Sequence, residues 1–162
     1  MAQCRVYVQN HSMTPTIRLL SAQDLDAFTA LVYLFEDVFE MEDFTIPPPE
    51  HLAAVLGREG FMAMVAEDKG KVIGGLTAYT LDHYYQEQPY AYLYDLAVDR
   101  DYQRQGIGKQ LITALNVHCQ EQGYEEVFVQ ADRDEAHVLD FYRGTSPTGE
   151  EEVIHFTYNT RT

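Results

Sequence analysis

Hydrophobic side chains along this chain follow a helical spacing in some segments and a two-residue alternation in others. Phe28, Leu31 and Phe35 recur as on one face of a helix, whereas Ala91 and Leu93 alternate as in a strand. The pattern predicts strands at Thr16–Leu20, Phe61–Glu67, Val72–Leu81, Tyr90–Val98, Val127–Ala131 and Val153–Tyr158, and helices at Ala22–Glu40, Glu50–Gly57, Gly106–Gln122 and Asp134–Arg143. Strand–helix alternation in the second half predicts a parallel pair, and the hairpins in the middle predict antiparallel neighbours. We therefore expect a mixed α/β (α+β) sheet with helices on both faces.

Local signals predict where these elements begin and how they face. Ser21 is the predicted N-cap of the first helix, with Asp24 three residues on as in a capping box. Asp68-Lys69-Gly70 predicts a hairpin turn. In the strand Tyr90–Val98, simple alternation divides the side chains into two faces. These are Tyr90, Tyr92, Tyr94, Leu96 and Val98 on one face and Ala91, Leu93, Asp95 and Ala97 on the other.

Length and composition indicate one globular domain in a reducing compartment. The 162 residues suit a single core, which we expect over residues 15–162 after a flexible extension at residues 1–14. No apolar run is long enough to cross a membrane, and the first residues do not form a secretory signal. Cys4 and Cys119 have no metal-binding spacing, and Cys119 is expected to be a buried apolar residue. A cytoplasmic protein without a disulfide is the expectation.

The charge balance excludes one class of partner. Eleven Lys and Arg residues oppose 26 Asp and Glu residues, a net charge of −15. Basic patches supply most of the affinity for nucleic acid, so binding of nucleic acid is not expected. A negative field would attract a cationic substrate, but the same charge would also serve solubility alone. Charge by itself leaves these two interpretations open.

The segment Gln103–Gly108 follows a strand and opens a helix, which is how many proteins hold phosphate groups. The first N–H groups of a helix have no internal partner and lie at the positive end of its dipole. Gly106 and Gly108 let the backbone approach an anion, and Arg104 and Lys109 add positive charge. The sequence therefore predicts an anion site in an acidic chain.

Two well-known phosphate-binding patterns do not fit this segment. A Walker A motif needs a glycine at position 103 and Ser or Thr at position 110, where this chain has Gln103 and Gln110. A dinucleotide-binding motif needs a further glycine at position 111, where Leu111 stands. The pattern that remains is Gln-x-x-Gly-x-Gly after a strand that ends in Leu96-Ala97-Val98.

This pattern, with the order of elements around it, resembles the acetyl-coenzyme A signature of the GCN5-related N-acetyltransferases over about residues 16–158. The resemblance implies a mixed, mostly antiparallel sheet that splays between its fourth and fifth strands, with acetyl-CoA held in the gap. It implies that the donor's pantetheine arm pairs with the fourth strand and that its pyrophosphate lies on the loop. The implied donor-binding residues are Leu96, Ala97, Val98, Gln103, Arg104, Gln105, Gly106, Ile107, Gly108 and Lys109.

Three further segments resemble the class I aminoglycoside 3-N-acetyltransferases, namely residues 94–98, 129–132 and 151–156. This resemblance implies that the acceptor is the 3-amino group of an aminoglycoside. The chain departs from that group at Phe141–Thr145 and in the tyrosine-rich segment Tyr84–Pro89. Other acceptors therefore stay open, namely a polyamine, another small amine or a protein amino group. An inactive CoA-binding regulatory module is the alternative of another class.

Direct acetyl transfer needs a group that accepts a proton from the amine and one that protonates the leaving thiolate. Asp95, on a strand face with apolar neighbours, is the predicted base, because burial would raise its pKa. Ordered water, Glu152 and His155 are the alternatives. Tyr142 matches the tyrosine of the fourth helix that is the acid in the resembling family. No metal and no covalent enzyme intermediate are expected.

A cationic acceptor would meet carboxylates at the rim of the cleft. The predicted substrate-binding residues are Glu40, Asp132, Glu151 and Glu152. The expected partner is thus a cationic small molecule, without nucleic acid or membrane. A homodimer formed through the tyrosine-rich stretch from Tyr79 to Tyr94 is a further expectation.

Overall fold

The computed structural model of this chain describes residues 14–160. Contacts within the chain divide it after Gln130, into a first unit that carries the whole sheet and a second unit from Ala131 onward. The expectation of one domain over residues 15–162 stays a prediction. The predicted N-terminal extension and Cys4 lie, except for Thr14, outside the described residues.

In the described part of the chain, five strands form one mixed sheet and lie in it in the same order as in the sequence. The first four strands pair antiparallel, and the fourth pairs parallel with the fifth. The strands are β1 Thr16–Leu19, β2 Phe61–Asp68, β3 Lys71–Leu81, β4 Tyr90–Val98 and β5 Glu126–Val129. The helices are α1 Leu25–Phe39, α2 Pro49–Leu56, α3 Ile107–Glu121 and α4 Ala136–Arg143, with a 3₁₀ turn at Arg100–Tyr102. The mixed, mostly antiparallel sheet predicted from the sequence is confirmed.

The sheet opens between β4 and β5. Only Tyr90–Leu93 of β4 pair with β5, opposite Glu126–Val129, although β4 continues to Val98. From Tyr94 onward β4 keeps β3 on one side and has no β5 partner on the other. The predicted splay between the fourth and fifth strands is therefore confirmed.

Helices cover both faces of the sheet. α1 and α2 pack with Ala63, Val65 and Ala97, whereas α3 packs with a second cluster that includes Met64 and Leu76. α1 crosses β3 very closely at Gly75, where an added Cβ would lie 2.5 Å from a methyl carbon of Leu31. Cys119 is buried in the α3 cluster, as predicted, and burial raises the pKa of its thiol to about 11.

A β-bulge in β4 overturns the predicted division of its side chains. Thr77 pairs with Asp95 and Ala78 pairs with Leu93, so Tyr94 is an extra residue on β4. Such an insertion shifts the alternation by one residue. Ala91 and Leu93 pack with α3, whereas Ala97 packs with α1 and α2. Asp95 therefore does not share a face with Ala91 and Leu93, as simple alternation predicted, but lies on the face of Ala97 and of α1.

The predicted N-cap of the first helix is wrong. α1 begins at Leu25, with Asp24 in the N-cap position. Ser21 is a donor there, because its N–H and hydroxyl both bond Asp24 Oδ2, at 2.8 and 2.6 Å. These bonds, followed by the bond from Arg18, lower the pKa of Asp24 to about 2. A turn therefore precedes the helix where the periodicity predicted that it had already begun.

The predicted last strand, Val153–Tyr158, is absent from the described structure, in which these residues form no ladder. Val153, Ile154, Phe156 and Tyr158 are all exposed. Alternating apolar residues favour a strand, but a strand also needs a partner for its backbone groups. The remaining predicted ends lie within a few residues of the observed ones.

Candidate active site

The loop from residue 103 to residue 109 presents backbone N–H groups at the start of α3. Arg104 and Gly106 both have a positive φ, 59° and 81°, which is a backbone curvature that gathers N–H groups into an anion-binding nest. Gly106 is the N-cap of α3 and offers no side chain to the first N–H groups of the helix. Ile107 is buried in the core and anchors the loop. We call residues 103–109 the anion cradle, because this backbone shape suits an anion; that an anion binds there stays a prediction.

The side chains of the two glutamines in this loop bond to backbone carbonyl groups just before it. Gln103 Nε2 donates to the carbonyl oxygen of Val98 at 3.0 Å, and Gln105 Nε2 donates to that of Asp101 at 3.4 Å. Asp99 adds a third tie, because its carboxylate accepts from Lys71 Nζ at 2.9 Å and from the N–H of Asp101 at 3.0 Å. Gln103 therefore joins the anion cradle to the end of β4, a role that the sequence motif did not reveal.

The carboxyl half of β4 has a free backbone edge. Leu96, Ala97 and Val98 pair on one side with β3, opposite Leu76, Gly75 and Gly74. On the other side, β5 has already ended its pairing at Val129. Within the described sheet, this edge is therefore open to a ligand that pairs as a strand does, and it leads into the anion cradle.

Asp95 lies at the bulge of β4, partly buried. Its Oδ2 accepts a hydrogen bond from the hydroxyl of Thr77, a buried residue of β3, at 3.2 Å. Burial raises the pKa of the Asp95 carboxyl, and the bond from Thr77 opposes that shift in part. A carboxylate with a raised pKa holds a proton better than an ordinary one, so Asp95 has the property that a general base needs.

Three tyrosines gather around Asp95, and the sequence did not predict this arrangement. The ring of Tyr94 lies 5.6 Å from that of Tyr79 and 5.7 Å from that of Tyr92, edge-on in both pairs. Burial, together with the nearby charge of Asp95, raises the pKa of Tyr79 and Tyr92. The bulge creates this group, and the signal for a bulge lies in the pairing with β3 and not in the sequence of β4.

Glu40, a predicted substrate-binding residue, is already paired. It ends α1 with a positive φ of 52°, and its Oε1 accepts from Arg100 Nη2 at 2.8 Å. The same nitrogen donates to the carbonyl oxygen of Asp37 at 3.0 Å. Arg100 thus ties the last turn of α1 to the turn that precedes the anion cradle. Both side chains of the ion pair are exposed, so its contribution to stability is small.

The other predicted residues lie in the second unit. Tyr142 is on α4 with its ring 5.0 Å from that of Phe141, and its carbonyl oxygen accepts from Thr145. Asp132 accepts from the N–H of Asp134 at 2.9 Å, in the turn before α4. Glu152 Oε2 lies 3.4 Å from Arg133 Nη1, and the side chain of Glu151 is exposed. The roles of these residues stay predictions.

Two cavities in the first unit differ in their relation to these groups. The larger, about 770 Å³, lies along α1 and the β2–β3 turn and contains neither Asp95 nor any residue from 103 to 109. Its lining is occupied by ion pairs, among them Arg18 with Asp24 and Lys71 with Asp99. The smaller, about 430 Å³, is lined in part by Phe61 and Tyr79 and therefore adjoins the tyrosines around Asp95. Size alone does not identify the active site.

Neither a metal centre nor a membrane helix is found in the described part of the chain. Among residues 14–160, no three His, Cys, Asp or Glu side chains are grouped so as to hold a metal ion. No helix among them is long and apolar enough to span a bilayer.

Comparison with known proteins connects this geometry to a family. Residues 28–145 match the family model described as the acetyltransferase (GNAT) family. An aminoglycoside acetyltransferase from an uncultured soil metagenomic sample, solved in complex with trehalose, is 53% identical, with a TM-score of 0.89 over 91% of this chain and 97% of that chain. The same protein has been solved in complex with sisomicin. A second aminoglycoside acetyltransferase from such a sample is 30% identical, with a TM-score of 0.85 over 92% of this chain and 100% of that chain.

Among curated proteins, human N-acetyltransferase 8 is 27% identical over 117 residues, which are 64% of this chain and 52% of that protein. The chain thus spans about half the length of the curated relatives that it matches.

Proposed function

This chain belongs to the GNAT family of acetyltransferases, and we propose that it transfers the acetyl group of acetyl-CoA directly to an amine of an aminoglycoside. The proposal rests above all on the strand β4. Its free edge from Tyr94 to Val98 leads into the anion cradle, and its bulge carries Asp95 on the face of α1. One strand therefore joins a place for the acetyl donor to a proton acceptor.

The residues at this site fit acetyl-CoA, the donor that enzymes of this family use. The positive φ of Arg104 and Gly106 turns backbone N–H groups toward a common point, which suits a pyrophosphate. Lys109, in the first turn of α3, adds a positive charge. The free edge of Leu96, Ala97 and Val98 offers N–H and C=O groups to the amide groups of a pantetheine arm. Donor binding by residues 96–98 and 103–109 is accordingly part of the proposal.

Acetyl transfer breaks the thioester C–S bond and forms an amide C–N bond. Asp95 accepts the proton that the amine nitrogen loses as it bonds to the carbonyl carbon. The raised pKa of Asp95 brings it closer to that of an amine, which makes the proton transfer less unfavourable. A backbone N–H near Val98 is the proposed donor to the oxyanion. The products are the acetylated amine and the free thiol of CoA.

Tyr142 is the proposed acid that returns a proton to the leaving thiolate. A phenol has an ordinary pKa of about 10 and a thiol about 8.5, so the two groups exchange a proton at modest cost. This role comes from its match to the tyrosine of the fourth helix in the resembling family. Because no covalent intermediate is formed, the buried Cys119 has no part in the reaction.

The aminoglycoside acceptor is proposed from charge and from similarity. The chain carries a net charge of −15, which favours a polycation. A protein 52% identical over 91% of this chain has been solved in complex with sisomicin, an aminoglycoside. We take the 3-amino group as the acceptor and propose Asp132, Glu151 and Glu152 as carboxylates that bind other ammonium groups. Glu40 is proposed to do the same by exchanging Arg100 for an ammonium group. A cytoplasmic location and a homodimer stay predictions.

Thiol release provides the test. The full chain is incubated with acetyl-CoA and one amine at a time, namely sisomicin, gentamicin, kanamycin, spermidine or lysine, and free CoA is measured with a thiol reagent. We expect release with the aminoglycosides and much less with spermidine or lysine. Mass spectrometry and NMR of the product then locate the acetyl group, with the 3-amino nitrogen expected.

Each alternative has its own result in this assay. Faster release of CoA with spermidine or lysine would identify that amine, and not an aminoglycoside, as the acceptor. Acetylation of a nitrogen other than the 3-amino group would overturn only the proposed position of transfer. Binding of acetyl-CoA by calorimetry without release for any amine would indicate the inactive CoA-binding module.

A further inference from the structure

Six aromatic rings form a continuous series of contacts across the sheet. We call this series the aromatic ladder; its members are Phe28, Phe61, Tyr79, Tyr94, Tyr92 and Phe128. They come from α1, β2, β3, β4 and β5, all within the first unit. Neighbouring ring centroids are 4.9–5.7 Å apart, within the range of favourable aromatic contacts.

The ends of the ladder are fixed and its middle is exposed. Phe28 is 4% exposed in the core under α1, and Phe128 stacks flat on Tyr92, at an interplanar angle of 10°. The hydroxyl of Tyr92 donates to Gln130 Oε1 at 3.2 Å, which orients that ring. Tyr94, in contrast, is 59% exposed and Tyr79 is 36% exposed. Two ring surfaces are thus presented to solvent on a rigid support.

Asp95 lies among these exposed rings. At the bulge Asp95 pairs with Thr77 of β3, whereas the neighbouring Tyr94 has no partner there. Asp95 also lies close enough to Tyr79 and Tyr92 for its charge to help raise the pKa of both. Aromatic faces and a carboxylate both attract cations, the first through the ring quadrupole and the second through its charge. The nearby cavity of about 430 Å³ is lined by Phe61 and Tyr79. Its lining also includes the acidic residues Glu59 and Asp82 and one positively charged residue, Arg58.

We propose that the exposed rings of Tyr79 and Tyr94 are the platform on which the acceptor's ammonium groups rest while one amine faces Asp95. This inference rests on the proposed function and adds to it a binding surface for the acceptor. The occupant is a compact polyamine-bearing sugar, because its charge complements Asp95. A second copy of this chain would bring a net charge of −15 and another Asp95 to the same face, so a polycation fits this face better than the homodimer predicted through Tyr79 to Tyr94 does.

The test compares ring removal with hydroxyl removal at Tyr94. In Tyr94→Leu the ring is lost, whereas Tyr94→Phe keeps it. Tyr33→Leu is the matched control, because Tyr33 is 50% exposed but lines the larger cavity, away from Asp95. We measure KM for sisomicin at saturating acetyl-CoA, KM for acetyl-CoA, kcat, and the melting temperature of each variant.

We expect Tyr94→Leu to raise KM for sisomicin about 2- to 30-fold, which corresponds to a cation–π attraction of ~0.5–2 kcal/mol. Tyr94→Phe should stay within about twofold of wild type, because the ring face carries the attraction. KM for acetyl-CoA should not change in Tyr94→Leu. In the control Tyr33→Leu, neither KM should change. A contact made equally in the ground and transition states leaves kcat nearly unchanged when it is removed. A general loss of folding would instead lower kcat.

Three other outcomes overturn the inference, and they are distinguishable. If wild type acetylates sisomicin and Tyr94→Leu behaves as Tyr33→Leu does, the aromatic platform is wrong and the proposed function stands. The platform is equally excluded if Tyr94→Phe loses as much as Tyr94→Leu. If wild type neither acetylates nor binds any aminoglycoside in the calorimeter, the proposed function fails and the platform fails with it.

Discussion

Replacing Asp95 by asparagine removes the proposed proton acceptor while keeping the shape of the side chain. The amide oxygen can still accept the hydrogen bond that Thr77 now makes to Asp95 Oδ2, so the bulge of β4 should persist. The amide has no basic group at neutral pH. The substitution therefore separates the chemistry of Asp95 from its place in the structure.

The size of the effect follows from the role of a general base. Such a group contributes roughly 10²- to 10⁴-fold to a rate, or about 3–5 kcal/mol of transition-state stabilisation. We expect Asp95→Asn to lower kcat by that factor, with KM for acetyl-CoA unchanged because residue 95 is not in the anion cradle. The acidic limb of kcat/KM against pH, which reports protonation of the base in the free enzyme, should flatten.

Stability provides a second readout with a definite sign. The pKa of Asp95 is raised in the folded state, so the folded protein binds more protons than the unfolded one between the ordinary pKa of Asp and the raised value. Asp95 therefore costs stability as pH rises through that window, and the full cost is present above the raised pKa. Asp95→Asn removes the cost, so its melting temperature above that window should equal or exceed that of wild type.

The assay is thiol release with sisomicin from pH 5 to pH 9, with thermal melts at the same pH values. Asp26→Asn, an exposed position in the first turn of α1, is the control for loss of one negative charge. Turnover of Asp95→Asn within a few-fold of wild type, with its acidic limb intact, would refute the reasoning. The proton would then leave through water, or through Glu152 or His155.

Three further substitutions test other parts of the site. Tyr142→Phe should lower kcat about 10²- to 10⁴-fold, as for loss of a general acid, while calorimetry shows unchanged CoA binding; unchanged turnover would exclude the acid role. Thr77→Val removes the hydrogen bond that opposes the raised pKa of Asp95, so the acidic limb should move to higher pH, while Thr77→Ser keeps the wild-type profile; a shift to lower pH would contradict this. Gly106→Ala places a Cβ at a φ of 81° and should cost about 1 kcal/mol in chemical denaturation, with a higher KM for acetyl-CoA. An unchanged KM would show that the donor does not depend on this turn.

Most elements could be predicted because their signals are local. The spacing of Phe28, Leu31 and Phe35 is enough to predict α1, since one face of a helix is set by residues three or four apart. The turn at Asp68-Lys69-Gly70 was predicted from its composition, and Lys69 and Gly70 do take positive φ values. The turn at Gln103–Gly108 and the start of α3 were predicted in the same way, because the glycines and the helix behind them are neighbours in the sequence.

The surroundings of Asp95 could not be predicted, because they depend on distant segments. Which face Asp95 occupies is set by the extra residue at Tyr94, and a bulge exists only relative to the partner strand β3. The aromatic ladder joins rings from five elements that are spread from Phe28 to Phe128. The same reason explains the error at Val153–Tyr158, where the sequence has the alternation of a strand but cannot supply the partner.

The order of the elements from β1 to α4, the glycine-rich start of α3 and the acidic charge thus follow from composition and short-range spacing. The position of Asp95 on the face of α1, among exposed tyrosines and beside an open edge of β4, depends instead on contacts between distant segments. Side chains far apart in the chain meet there through strand register, and register is settled by burial and hydrogen bonding across the whole sheet.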